Sequence, residues 1–281
     1  MSKQAGWDEI VQLWANGRPP DTLEIYIPVI NSLRNHVQQT PPGEITLQQL
    51  QSWAGTFKSQ RPATRTRKIA TVRSLLGFAK RIGAIERDQS PALRAPANPD
   101  GLANRILNEK EVQLLVQSGA NHRENVLLSL LYVAGLRATE AGRLQWKDCL
   151  ERSNGLGQIS VLGKRQKRRS IVISPEVWEK LMSLRTETSA GEDYVFQSRN
   201  GWRQPLSRTR IADIVRFAAQ RAKLEAKVSP HWIRHCHASH AIDHGAPLSL
   251  VSQTLGHASI AATARYIHAS PDQSSSAYIR L

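Results

Sequence analysis

Between Asp88 and Asn108 the chain loses the three- and four-residue apolar rhythm that runs on either side. The stretch holds Pro91, Pro96, Pro99 and Gly101 instead. Proline fixes φ and has no amide hydrogen to donate, so a segment this rich in it continues neither a helix nor a central strand. A chain of 281 residues interrupted there is expected to bury its apolar faces in two separate cores. The expected organisation is a helical unit over residues 1–87, a linker over 88–107 and a second unit over 108–281.

The first unit reads as amphipathic helices. ITLQQLQSWAGTF places Leu47, Leu50, Trp53 and Phe57 on one face. ATRTRKIATVRSLLGFAKRIG turns Ile69, Val72, Leu75, Leu76 and Ala79 inward and carries Arg65, Lys68, Arg73 and Lys80 on its other faces. Pro28 is expected to kink or end the helix in TLEIYIPVINSL. After the linker, Asn108 with Glu111 three residues on has the form of a reciprocal helix cap. EVQLLVQSG and NVLLSLLYVAG are apolar enough to be core helices, and RIADIVRFAAQRAKL is a further helix. QISVLG and RSIVIS are β-branched runs joined by the basic turn GKRQKR, which predicts a hairpin; SNGLG is expected to lengthen the loop before it. Ser174-Pro175 and Ser229-Pro230 each mark a helix start. The expected fold class is mainly α with a small β-sheet, in two domains.

Lysine and arginine number 38 against 23 acidic residues, an excess of 15. That balance points to a polyanion, with nucleic acid ahead of a membrane surface. A solvated basic face would give the same count, so charge alone does not choose. No apolar run is long enough to span a bilayer, and MSKQAGWDEI lacks the apolar centre of a secretory leader. Cys149 and Cys236 are too few for a disulfide framework and lack metal-ligand spacing, which fits a reduced, cytoplasmic setting.

Six residues then form a set with a reaction in it. GLRATE carries Arg137 and Glu140, GKRQKRR carries Lys164, SPHWIRH carries His231 and Arg234, and LGHASIAATARYIH carries His257 and Tyr266. Breaking a phosphodiester without a metal needs a nucleophile, charge on the non-bridging oxygens and a proton for the leaving oxygen. Tyr266 can attack and remain as a covalent phosphotyrosine; its ordinary pKa near 10 calls for a base, and His231 is the nearest by role. Arg137 and Arg234 each offer a planar cationic fork. Lys164, on a turn, can protonate the leaving oxygen, His257 can donate to the phosphate, and Glu140 can orient a neighbour. Taken singly, each has a plainer use: a surface arginine, a packed tyrosine, a capping histidine, a backbone-binding lysine. His231, His235, His237, His240 and His244 also crowd one segment, but no carboxylate or cysteine completes a metal site, so none is expected. His235 and His240 are expected to pack or hydrogen-bond.

Together these motifs resemble the tyrosine recombinase (phage integrase) family, in particular its compact Xer-type members. The family carries GLR-x-x-E as at Arg137 and Glu140, a lysine on a hairpin turn as at Lys164, H-x-x-R as at His231 and Arg234, and LGH-x-S with the tyrosine nine residues on, as at His257 and Tyr266. The match spans roughly residues 132 to 268; the first unit resembles the family's core-binding domain more loosely. The usual GKG reads GKR here, with Arg165 in place of glycine, so Lys164 and Lys167 both stand as candidates for the hairpin lysine. Cys236 and His237 replace a hydroxyl residue and an aromatic, changes expected to alter packing more than chemistry.

The resemblance implies a DNA strand-exchange enzyme that needs neither metal nor cofactor. It would cleave a specific double-stranded site through a 3′-phosphotyrosine, pass through a Holliday junction and act as a homo- or heterotetramer on DNA, in the cytoplasm with the nucleoid and without a membrane partner. Arg65, Lys68, Arg73, Arg165 and Lys167 would contact the phosphate backbone. Tyr278, Ile279 and Leu281 are apolar positions in the tail, which leaves two readings: a segment that docks on a neighbouring protomer, or a frayed terminus. Resolution of chromosome or plasmid dimers, integration by a mobile element, a topoisomerase-like relaxing activity and a catalytically silent DNA-binding protein are the alternatives the residues leave open.

Overall fold

The computed structural model describes residues 6–97, 105–163, 167–198, 204–225, 227–257 and 259–267. Its contacts divide at Asp100/Gly101 into two units. In the first, α1 (Trp7–Ala15), α2 (Pro20–His36), α3 (Leu47–Gly55) and α4 (Pro62–Arg81) enclose a core centred on Trp7, Trp14, Leu33, Leu50, Trp53 and Leu75. Its indoles bury their rings and keep a partner for the N–H: Trp14 donates to Ser74 and Trp53 to Ser32, each at 3.2 Å. Thr46 and Gln49 cap α3 reciprocally. The inward set expected on α4 is the buried set, Ile69, Val72, Leu75, Leu76 and Ala79. Leu47 is only half-buried, and Phe57 is buried just beyond the end of α3.

Two expectations for this unit are corrected. Of the two outcomes expected at Pro28, the helix end is not seen: α2 runs through it. An interior proline costs about 3 kcal/mol, but Val29, Ile30 and Leu33 follow it into the core, and each buried side chain of that size contributes about 1.5–3 kcal/mol. Arg73 does not decorate a free face. Its Nε donates to the Ser90 carbonyl at 3.2 Å, and its Nη2 to the carbonyls of Pro91 (3.3 Å) and Leu93. Leu93 is itself part of the first core. Residues expected to begin the linker are therefore wrapped onto α4 and held by its arginine. Lys68 lies 4.7 Å from the Phe57 ring centre, and the buried Nε of Arg65 finds no acceptor among the described residues.

The second unit contains α5 (Glu109–Gln117), α6 (His122–Val133), α7 (Ala138–Gly142), β1 (Cys149–Glu151), β2 (Gly157–Leu162), β3 (Arg168–Ile173), α8 (Pro175–Met182), α9 (Arg208–Arg221), α10 (Pro230–Asp243), α11 (Leu248–Leu255) and α12 (Ile260–Ala264). The expected hairpin pairs antiparallel, with Ile159 opposite Ile171 and Leu162 opposite Arg168. A third strand, β1, pairs with β2. SNGLG is not an extended loop: Ser153–Gly155 makes a tight turn between β1 and β2, with Asn154 at φ 62°. Gly157 lies under Trp178, where a Cβ would come within 2.3 Å of the ring. Asn108 and Glu111 cap α5 reciprocally, at 2.9 and 2.8 Å. Ser174 and Ser229 occupy the cap positions before Pro175 and Pro230, although neither hydroxyl makes a capping bond. α10 lies centrally, against α5, α6, α9 and α11.

Candidate active site

The GLR segment makes the turn from α6 to α7. Gly135 sits at φ +56°, and a Cβ there would meet His237 and Leu255 side-chain carbons at 2.8 Å, so glycine is required twice over. Leu136 is buried beside it and sets Arg137 at the start of α7. Glu140 then reaches back: its Oε2 accepts from the Arg137 backbone N–H at 2.8 Å, and its Oε1 from Arg137 Nη1 at 2.7 Å.

Arg169 completes the cage around Glu140. From β3 its Nη1 and Nη2 donate to the two carboxylate oxygens at 2.9 and 2.8 Å, while its Nε donates to the Thr254 carbonyl at 2.6 Å. Glu140 is 3% exposed at its side chain. Burial alone would push its carboxyl up, but hydrogen bonds from Arg169 and Arg137 and the Arg169 charge outweigh burial and hold it below the ordinary carboxylate range.

Arg234 is 2% exposed. Its Nη1 donates to the Gly135 carbonyl at 2.6 Å and its Nη2 to the Leu255 carbonyl, with Glu140 Oε2 4.0 Å away. Burial, then repulsion from Arg137, pulls its pKa down to about 9, which leaves it charged at neutral pH. Two carbonyls thus aim the guanidinium and fix it beside Glu140. His231 stands one turn earlier on α10, with its pKa lowered by burial and by Arg234 and Arg137. Arg137, Arg208, Ser229, His231 and Arg234 line a cleft of about 450 Å³.

Tyr266 follows α12, at its C-terminal end, and is 5% exposed. Its ring lies nearly parallel to that of His257, with centres 6.4 Å apart, and His257 Nδ1 is 2.7 Å from the Thr263 hydroxyl. The phenol oxygen lies 2.5 Å from Nδ1 of His235, so His235 holds the hydroxyl. The His231 and His235 rings are 4.3 Å apart. Burial and neighbouring positive groups lower both His235 and His257 to about 4, so both are neutral imidazoles near pH 7.

Arg137, Glu140, His231, Arg234, His257 and Tyr266 therefore come together in the second unit. Lys164 and Arg165 lie outside the described residues, as do residues 272–281. Lys167 is exposed, and its carbonyl accepts from the Gly163 N–H at 2.8 Å to close the hairpin end. Arg65, Lys68 and Arg73 belong to the first unit.

The sequence reading passed over two contributors. Arg169 shares the phase of Ile171 and Ile173, the inward face of β3; a cation in that register was the available signal. His235 lies four residues after His231, on the same side of a helix, but its pairing with a tyrosine 31 residues away has no local signature. Cys236 is buried, and its Sγ accepts from the Leu107 N–H at 3.2 Å. His240 bonds the Tyr132 hydroxyl and the Leu107 carbonyl, each at 2.9 Å. Among the described residues no three His, Cys, Asp or Glu side chains gather as metal ligands would, and no helix is long and apolar enough to cross a membrane.

Residues 105–273 match the family model described as the phage integrase family. The chain belongs to that family. It is 30% identical over 265 residues to tyrosine recombinase XerC of Pseudomonas syringae pv. syringae, covering 89% of this chain and 85% of that one. It is 29% identical over 219 residues to tyrosine recombinase XerD of Listeria monocytogenes, covering 74% and 72%. These relatives make it a tyrosine recombinase of Xer type. Its fold is also that of solved family members. A lambda integrase dimer bound to a core site superposes with a TM-score of 0.74 at 18% identity, over 95% of each chain. XerH recombinase in a post-cleavage complex with its palindromic difH substrate gives 0.74 at 18% identity, over 92% of this chain and 80% of that one.

Proposed function

We propose that this tyrosine recombinase cleaves and rejoins duplex DNA at a specific site with Tyr266 as nucleophile, and that it resolves dimers of a circular chromosome or plasmid. The observation that supports the chemistry is the buried Tyr266 hydroxyl, held by the His235 imidazole in the same cluster as the Arg137 and Arg234 guanidiniums. Tyr266 Oη attacks the scissile phosphorus, giving a 3′-phosphotyrosine and a 5′-hydroxyl. Arg137 and Arg234 take the non-bridging oxygens, and His231 and His257 hydrogen-bond the phosphate. Lys164, or Lys167 if the turn is read one step further, protonates the leaving oxygen. The phosphotyrosine keeps the energy of the broken bond, so the partner strand's hydroxyl can reverse the step without ATP or a metal.

The rest of the assembly follows the same reading. Arg65 and Lys68 from the first unit, and Arg165 and Lys167 from the second, add backbone contacts, so binding weakens steeply with salt. Arg73 is left out because its fork is committed to the 90–93 segment. Four protomers on two sites pass through a Holliday junction, in the cytoplasm where the nucleoid lies. The test is covalent capture from cells that carry the native DNA, denatured rapidly, with Tyr266→Phe in parallel and the protein-linked DNA sequenced. Adducts at defined sites that vanish in the Phe variant are the expected result. Scattered adducts would mean a relaxing enzyme, and specific DNA retention without adducts would mean a binding protein.

A further inference from the structure

We infer that His235 is a catalytic residue: it takes the proton of Tyr266 as the nucleophile attacks and returns it on rejoining. The inference rests on Tyr266 being the nucleophile and gives the base role, expected at His231 from the sequence, to a residue outside the six-residue set.

Three observations carry it. The first is position: Nδ1 of His235 is 2.5 Å from the phenol oxygen, within reach for direct proton transfer, and His231 lines the cleft with Arg137 and Arg234. The second is protonation state. Burial, then His231, Arg105, Arg234 and Arg265, disfavour a charged imidazole at His235, so the ring is neutral, and in the tautomer that leaves Nδ1 bare it accepts from the phenol. The third is placement on rigid structure: His235 is buried on α10, one residue after the fixed Arg234, so both ends of the transfer are set by the fold before DNA binds.

The same surroundings make the transfer conditional. In the free enzyme, moving a proton from a phenol to this imidazole is strongly uphill, because the new cation would sit among Arg105, Arg234 and Arg265 and beside His231. A phosphate between Arg137 and Arg234 brings the missing negative charge, and the pentacoordinate transition state brings more. The basicity of His235 therefore rises only when the scissile phosphate is in place, and Tyr266 stays an unreactive phenol until then. In the step itself, the Tyr266 O–H bond breaks and its proton goes to His235 Nδ1. The Oη–P bond forms, the P–O5′ bond breaks, and O5′ takes a proton from the hairpin lysine. Rejoining runs these transfers backwards.

The experiment follows the appearance of detergent-stable adducts over time when the full-length protein is mixed with sheared genomic DNA from its source cells. His235→Asn keeps a polar atom near the Nδ1 position but cannot take a proton; His235→Gln is made in parallel so that a folding defect in one does not decide the matter. Each variant is also prepared with 3,5-difluorotyrosine at position 266, whose phenol loses its proton far more readily. The expected result is a loss of about 100-fold in the rate of adduct formation, unchanged retention of DNA, and recovery of most of that rate with the fluorinated tyrosine. Rates within threefold of the parent in both variants would overturn the inference. So would a loss that the fluorinated tyrosine does not restore, because a packing role is indifferent to phenol acidity. If Tyr266→Phe still forms adducts, the assignment of the nucleophile fails instead, and the two failures are told apart.

Discussion

The two units solve opposite problems with the same kind of helix. In the first, the buried polar side chains are Thr71 and Ser90, and the rest of the core is aliphatic and aromatic, with tryptophans at its centre. In the second, Glu140, Arg234, His235, Ser239, His240, Ser252 and Thr263 are all buried among the described residues. Burying an ion costs several kcal/mol unless it is paired and fully hydrogen-bonded. The first unit buries no whole charged side chain among the described residues, and the second meets the cost with the Glu140 cage and the carbonyls around Arg234. Polar groups sealed away from water cannot reorganise, and that fixed geometry is what makes them effective toward a developing charge.

The contrast can be broken most directly at Arg234. Arg234→Ala is expected to slow adduct formation at least about 100- to 1000-fold while the protein still retains DNA in a filter assay; near-normal cleavage would make the buried charges mere packing. Trp53→Ala, in the first core, is expected to cost about 3–5 kcal/mol, read by hydrogen exchange as lost protection in α2, α3 and α4. Protection of α10 should stay unchanged. Glu140→Gln keeps the shape but removes the charge among three guanidiniums, and is expected to cost about 3 kcal/mol of the second unit's stability in a denaturant melt.

That third variant also sharpens a pH difference. His235, His237 and His257 are held near 4 in the fold, against about 6.5 in an unfolded chain. The unfolded chain therefore takes up protons first, and the second unit's stability is full above about pH 6.5 and declines toward pH 4. Glu140, with its pKa depressed, adds stability that is present above about pH 4.3 and is lost as pH falls through its folded value. Glu140→Gln should remove the second, more acidic loss and leave the histidine one. The smallest effect is expected at a surface cap: Asn108→Ala should cost about 1 kcal/mol in thermal melts and leave adduct formation untouched.

Legibility follows the same division. The inward face of α4 was readable because helical periodicity reports burial directly, and the reciprocal cap at Asn108 because its two partners are three residues apart. Pro28 does not end α2 because that local rule is outweighed by the burial of Val29, Ile30 and Leu33. β1 was missed because three residues, Cys149–Glu151, are too few to show alternation. The motif residues of the site could be gathered by resemblance, yet their supports could not. Arg169 meets Glu140 from 29 residues away and Thr254 from 85, and His235 meets Tyr266 from 31. On a helical wheel alone Arg73 lies on a free face, whereas its acceptors, the carbonyls of Ser90, Pro91 and Leu93, lie in a segment that the wheel does not contain.

The cage around Glu140 has a thermodynamic consequence. Arg137, Arg169 and Arg234 gather about one carboxylate, so the folded second unit carries a local cation excess that nothing in the cluster neutralises. A multivalent anion that enters the cleft relieves repulsion present only in the native state, and native-state binding raises apparent stability in proportion to the logarithm of ligand concentration. For this unit DNA is a substrate and also the counter-ion its fold lacks, so the protein should be most resistant to heat when it is on its site.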